Sequence, residues 1–204
     1  MNTLLLTDLQ NDFLPTGALP VHGGDQVIPI ANRLMPRFDL VIASQDWHPA
    51  NHGSFAANHP GKKVGDTIEL AGLPQILWPV HCVQNTPGAD FAPALDRSRI
   101  AHITHKGIDP AIDSYSAFFD NGHKKATDLD AFLKSRKVTH LHLLGLATDY
   151  CVLFTALDAR QLGYRVTLIQ DACRGVNLKP TDVPNALETM RQAGMEFSNC
   201  SELG

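Results

Sequence analysis

No stretch of this chain approaches the roughly 18 consecutive apolar residues that a membrane span requires. The opening MNTLLLTDLQND has a short apolar run that Asp8 interrupts, without the basic start or the length of a secretory signal. The expectation is a cytoplasmic protein with no membrane partner. Charge of one sign is also missing: 17 Lys and Arg stand against 21 Asp and Glu, a formal net charge of −4. That leaves no basic footprint for nucleic acid and no polybasic membrane patch. Cysteine is sparse. Cys82, Cys151, Cys173 and Cys200 lie far apart and form no CxxC pair, so free thiols are expected rather than a disulfide framework. No GxGxxG or P-loop follows the first apolar run, where TDLQND stands instead, which argues against a nucleotide-binding domain. There is no internal repeat and no low-complexity tract.

What is present is a chain of 204 residues with 44% apolar and 19% charged residues. That suits one globular domain over 1–204 with a full core. Short apolar, partly β-branched runs recur at Thr3–Thr7, Leu40–Ser44, Ile100–Thr104, Val138–Leu144, Arg165–Gln170 and, more weakly, Met195–Ser198. Near-continuous apolar runs fit strands buried on both faces of a parallel sheet. Helical patterns lie between most of them. Asp25–Arg37 is one, with Pro29 favouring a late start, and Thr127–Ser135 is a shorter one. Thr148–Leu162 has Thr148 or Asp149 as N-cap and Gly163 as its stop; Thr181–Ala193 has an N-cap Thr, Pro184 in its first turn and Gly194 beyond its end. The alternation predicts a doubly wound α/β fold: six strands, mainly parallel, with helices on both faces. Residues 46–98 break the pattern. They are rich in Pro, Gly, His and Asn, show little periodicity, and read as a long functional insert.

In such sheets ligands bind beyond the carboxyl ends of the strands. There the sequence sets Asp8 after the first run, Asp46 and His48 after the second, Lys106 after the third, and the turn GLATDYC after the fourth; Asp171 and Cys173 follow the fifth. Cys151 falls in the first turn of a helix, where backbone N–H groups and the helix dipole favour a thiolate nucleophile. Taken alone, a cysteine is more often a small buried hydrophobe. Asp8 could take the thiol proton and return it to a leaving amine, although a turn aspartate is the commoner case. Lys106 could steady the thiolate and developing negative charge, although a lone lysine is usually a solvated one. Asp46 and His48, with His81 from WPVHC, form a two-histidine, one-carboxylate set suited to Zn²⁺, Fe²⁺ or Mn²⁺; scattered loop histidines are the alternative, and His52 and His59 lie nearby. His140 and His142 are expected to pack beneath helices. His22, His102, His105 and His123 receive no role. Phe13, Trp78 and Tyr115 could stack on an aromatic ring, or serve only as core.

Five segments in order, TDLQNDF at 7–13, QDWHPANHGSF at 45–55, WPVHC at 78–82, HKGIDPAIDSYSAF at 105–118 and GLATDYCV at 145–152, resemble the nicotinamidase branch of the isochorismatase-like cysteine hydrolases. The resemblance implies that fold, with strand order 3-2-1-4-5-6, and hydrolysis of nicotinamide to nicotinate and ammonia in NAD salvage. It implies a catalytic triad of Asp8, Lys106 and Cys151. Asp46, His48 and His81 would hold one divalent metal, zinc before iron or manganese, and His52 stands where some members add a further ligand. It also implies ring contacts from Phe13, Trp78 and Tyr115. A cis Leu146–Ala147 peptide would turn the Ala147 N–H toward the site, making an oxyanion hole with the Cys151 N–H. Pyrazinamide-like analogues are expected as further substrates, and a homo-oligomer is left open. Retention of Cys151 argues against isochorismatases proper, and DWH with WPVHC favours nicotinamidases over carbamoyl-amide hydrolases. The rivals are another small-amide hydrolase of the same family and a non-catalytic metal-binding α/β module.

Overall fold

Thr3–Thr7 (β1) is buried along its whole length and has a parallel strand on each edge. One neighbour is Leu40–Asp46 (β2), likewise buried throughout. The computed structural model describes residues 1–203; Gly204 lies outside them. An antiparallel hairpin, Thr67–Leu70 (β3) and Leu73–Ile76 (β4), stands apart from the main sheet. The main sheet is completed by Ile100–Lys106 (β5), His140–Leu146 (β6), Arg165–Arg174 (β7) and Glu196–Ser198 (β8). Its order is β5-β2-β1-β6-β7-β8, and every pairing is parallel. Counted within this sheet alone, that is the expected 3-2-1-4-5-6. Helices pack on both faces of this sheet. In Val27–Leu34 (α1) the buried residues are Val27, Ile28, Ala31 and Leu34, one apolar stripe at helical spacing.

The helices differ from expectation at their starts. Pro29 sits in the first turn of α1, so this helix does begin late; Met35–Arg37 continues as a 3₁₀ turn. Leu129–Ser135 (α2) matches its pattern closely. The long fourth-strand helix is in two parts. Thr148–Val152 is a π-helical turn, closed by the Val152 N–H donating to the Ala147 carbonyl at 3.0 Å, and Leu153–Gln161 (α3) follows. Neither Thr148 nor Asp149 caps it; the Asp149 carboxylate accepts instead from the Val176 and Asn177 N–H groups. Asp182–Gln192 (α4) ends just before Gly194, as expected.

Two other expectations need correction. Residues 46–98 are not structureless, because they contain the β3–β4 hairpin. Asp171 and Cys173 do not lie beyond their strand but within it, since β7 runs on to Arg174 through an irregularity in its pairing with β6. His142 meets the Phe38 ring edge-on at 5.0 Å, and His140 Nε2 lies 2.8 Å from Thr167 Oγ1.

Burial, reinforced by His140, lowers the His142 pKa to about 4. Between about 4 and the ordinary value of 6.5 the unfolded chain therefore binds the extra proton. Stability from this residue is complete above pH 6.5 and is lost as pH falls toward 4, by up to about 3 kcal/mol. His142→Gln is expected to flatten the fall in urea midpoint between pH 7 and 4.5 relative to the unsubstituted chain. Parallel pH profiles for the two proteins would remove His142 as a source of acid sensitivity.

Candidate active site

The strand register brings the chemistry together. Asp46 and Lys106 are direct partners at the ends of β2 and β5. Thr7 pairs with Ser44 on one side and Gly145 on the other, which sets Asp8 between β2 and the turn that carries Cys151. The chain's course reverses between β1 and β6, the place where doubly wound sheets bind ligands.

Lys106 is the hub. Its side chain is fully buried, and Nζ lies 3.0 Å from Asp8 Oδ2, 2.7 Å from Asp46 Oδ1, 3.1 Å from the Ser114 carbonyl and 3.3 Å from Cys151 Sγ. Burial alone would discharge this amine, but Asp46 and Asp8 outweigh burial and hold its pKa well above the ordinary lysine value. Asp8 has a left-handed backbone (φ 50°), which aspartate tolerates, and its Oδ1 accepts from Ser44 Oγ at 2.6 Å. Burial raises the Asp8 pKa despite the pull of Lys106. Asp46 goes the other way: Lys106 and His48 outweigh its burial and keep it well below the ordinary range.

Cys151 lies in the π-turn, not in the first turn of an α-helix. With the protein's own charges alone, burial pushes its thiol pKa well up, Lys106 only partly offsets this, and Asp8 and Asp46 push it further. Burial thus works against the thiolate that the sequence favours, and it raises the basicity of the neighbouring Asp8 carboxylate. The Leu146–Ala147 peptide is cis.

The second oxygen of Asp46 faces the histidines. Asp46 Oδ2 is 3.3 Å from His48 Nε2 and 3.7 Å from His81 Nε2. His48 Nδ1 meets the Gly107 carbonyl at 2.9 Å and His81 Nδ1 the Pro79 carbonyl at 2.8 Å. A carbonyl can only accept, so each Nδ1 carries the proton and each Nε2 presents a lone pair. Gly107 permits this approach: its φ is +68°, and a Cβ there would lie 2.4 Å from the His48 ring. Donor atoms of Asp46, His48 and His81 all fall within 4.8 Å of one another. Asp8 and Asp46 already share the ammonium of Lys106, and the free edge of Asp46 together with two imidazoles is a donor set that suits a divalent cation. His52 is buried too, its ring centroid 4.3 Å from that of His48.

Phe13, Trp78 and Tyr115 line the same cleft as Cys151 and the histidines. Trp78 Nε1 donates to the Tyr115 hydroxyl at 3.1 Å, and Gln75 Nε2 does so at 3.0 Å. Leu19, Asp113, Tyr150 and Val176 also line it. Sequence reasoning missed these four. Tyr150 adjoins Cys151 and Asp113 lies within HKGIDPAIDSYSAF, so both carried a local signal; Leu19 and Val176 sit in loops with none.

The Isochorismatase domain family matches residues 2–201. A nicotinamidase of Escherichia coli is 54% identical over 195 residues, 94% of this chain and 91% of that one. Among solved structures, an Acinetobacter baumanii nicotinamidase/pyrazinamidase superposes with a TM-score of 0.96 at 44% identity, covering 99% of this chain and 97% of that one. A Pyrococcus horikoshii pyrazinamidase in complex with zinc has a TM-score of 0.79 at 38% identity, covering 97% and 98%. With this match running from end to end of the sheet that aligns Asp8, Lys106 and Cys151, the chain belongs to the isochorismatase family, on its nicotinamidase branch.

Proposed function

We propose that this chain hydrolyses nicotinamide to nicotinate and ammonia, the entry step of NAD salvage, through a thioester on Cys151. It does so as one domain in which residues 46–98 supply an ion site. The observation that carries this reading is a single ammonium, Lys106, in contact with both carboxylates and the sulfur. Likeness to nicotinamidases over nearly the whole chain supports the substrate.

In this reading Asp8 takes the Cys151 proton as sulfur attacks the carboxamide carbon. The C–S bond forms and the carbonyl electron pair moves to oxygen, where the Ala147 and Cys151 N–H groups receive it, each donor worth on the order of 3 kcal/mol. Asp8 then protonates the amine, the C–N bond breaks and ammonia leaves. Water adds to the thioester and gives its proton to Asp8; the C–S bond breaks, and sulfur recovers the pair and the proton. Lys106 stays charged throughout, so its part is to keep two carboxylates and a nascent thiolate in one dry pocket. Phe13, Trp78 and Tyr115 wall the flat ring. Asp46, His48 and His81 would hold the divalent ion, zinc before iron or manganese, which when bound supplies an electrophilic anchor for the ring nitrogen. Pyrazinamide shares that nitrogen and the carboxamide, and is expected to be turned over as well.

Ammonia release from nicotinamide, pyrazinamide and a panel of carbamoyl amides tests the reading. Preference for a carbamoyl amide would overturn the nicotinamide assignment. Cys151→Ala is expected to abolish release with unchanged circular dichroism, and a variant that retained turnover would sink the nucleophile. Asp8→Asn should lower kcat by about 10²–10⁴-fold, the usual share of a positioned acid–base group. Lys106→Met leaves two buried carboxylates facing each other, and is expected to cost about 3–5 kcal/mol in a urea titration besides inactivating the protein. A Lys106→Met chain as stable as the parent would show that the buried cation does not hold the site together.

A further inference from the structure

The two ligand histidines turn Nδ1 toward carbonyls, but His52 does not. Its Nδ1 lies 3.2 Å from the Ser54 backbone N–H, which donates to it, and 2.7 Å from Ser54 Oγ. A backbone N–H can only donate, so Nδ1 of His52 is an acceptor and cannot carry a proton. The ring proton must then sit on Nε2. This residue is 0% exposed, and Nε2 meets no partner among the described residues. A metal needs a lone pair, and on this nitrogen the lone pair is occupied by hydrogen. Backbone geometry thus sorts three neighbouring histidines into two ligands and one donor.

Asp113 is a close neighbour. Its carboxylate is 3% exposed; Oδ1 accepts from the Ser114 N–H at 2.8 Å and Oδ2 from Gln75 Nε2 at 3.1 Å. Each oxygen keeps acceptor capacity beyond these bonds. A nitrogen of His52, a nitrogen of His48 and a carboxylate oxygen of Asp113 all lie within 4.8 Å of one another. His52 and Asp113 form no direct hydrogen bond, and two hydrogen bonds of ordinary length in series span such a gap.

We propose that His52 is not a metal ligand but a hydrogen-bond donor, and that its Nε2–H and the Asp113 carboxylate together hold one water beside the ion site. That water accepts from His52 and donates to Asp113, which leaves a lone pair for the cation. It satisfies the buried Nε2–H, and a buried water needs the two or more polar partners that these residues supply. The inference rests on the ion site of Asp46, His48 and His81, and it assigns His52 a positioning role there.

The experiment measures zinc(II) affinity by competition with a chromophoric chelator, with metal content by elemental analysis and no substrate present. His52→Gln keeps an N–H donor near the Nε2 position but offers no imidazole. It is expected to bind one zinc per chain with affinity within about threefold of the parent. His52→Phe, which removes the donor, should lose about tenfold, the lower end of what outer-shell partners cost. His81→Gln, the loss of a ligand, should weaken binding by more than 100-fold. A His52→Gln chain weakened as severely as His81→Gln would make His52 a ligand and overturn the proposal. Unchanged affinity in both His52 variants would overturn the donor role. Full affinity in His81→Gln would remove the ion site itself, and the proposal with it, whatever the result of the amide hydrolysis assay.

Discussion

A charged ammonium buried in the middle of this fold is the constraint on which the site depends. Lys106 gives up its hydration, and only Asp8 and Asp46, each at bonding distance, make that state tolerable. The same holds in reverse, since two carboxylates this close and this deep would repel without the cation. Each of the three sits at or just past the end of a different strand, β1, β2 and β5. Forming the charge cluster therefore requires the parallel register across all three, and slipping β5 by one residue would turn Lys106 to the opposite face. The geometry of the charge cluster and the sheet register become one condition.

That condition also explains why the protein's own groups favour the thiol form of Cys151 over the thiolate. Cys151 sits against the same ammonium, but it shares it with two carboxylates that already claim most of its charge. A preformed thiolate would add a third anion to the cluster. The carboxylate that burial has made the better proton acceptor, Asp8, is the one beside the sulfur, while Asp46 is tied to Lys106 and the histidines and stays ionised. Two aspartates of the same chemistry are thus driven in opposite directions by their environments, one pKa raised and the other lowered.

Much of this was legible in the sequence for a physical reason. Strands buried on both faces must be apolar throughout, so TLLLT and LVIAS announce themselves, and their carboxyl ends are where a doubly wound sheet gathers its functional groups. Asp8, Asp46, Lys106 and Cys151 all follow from that rule together with the family likeness. The hairpin at Thr67–Ile76 was invisible because it is half-exposed, carries Pro74 within a strand, and turns on Ala71–Gly72 rather than on Asn-Gly. The π-turn at Thr148–Val152 was hidden for another reason: one residue more per turn leaves the composition unchanged, and only the Val152 to Ala147 bond reveals it. Lys106 read as a solvated lysine in isolation, because the partners that bury it are 60 and 98 residues away in sequence.

The irregular insert raises a last structural question, namely what satisfies its backbone. A segment without a ladder must find partners elsewhere for its buried N–H and C=O groups. The loop after β1 supplies them. Gln10 grips Asp46 at both backbone atoms, its Oε1 accepting the Asp46 N–H and its Nε2 donating to the Asp46 carbonyl, each at 2.8 Å, and Nε2 also reaches the Ala89 carbonyl. Asn11 and Asp12 donate their N–H groups to the Asp90 and Gly88 carbonyls, and the Asp12 carboxylate accepts from the Cys82 N–H at 2.6 Å. The fit leaves no room at Gly88, where a Cβ would lie 2.2 Å from Asp12. Polar side chains of TDLQND thus do for residues 80–90 what a neighbouring strand does for a strand. Cys82, so anchored, follows His81, and its carbonyl accepts the His48 N–H at 3.0 Å. The loop that begins at Asp8 therefore also fixes the stretch that carries His81, and a substitution at Gln10 or Asp12 would loosen the Asp46–His48–His81 cluster without touching any of its three side chains.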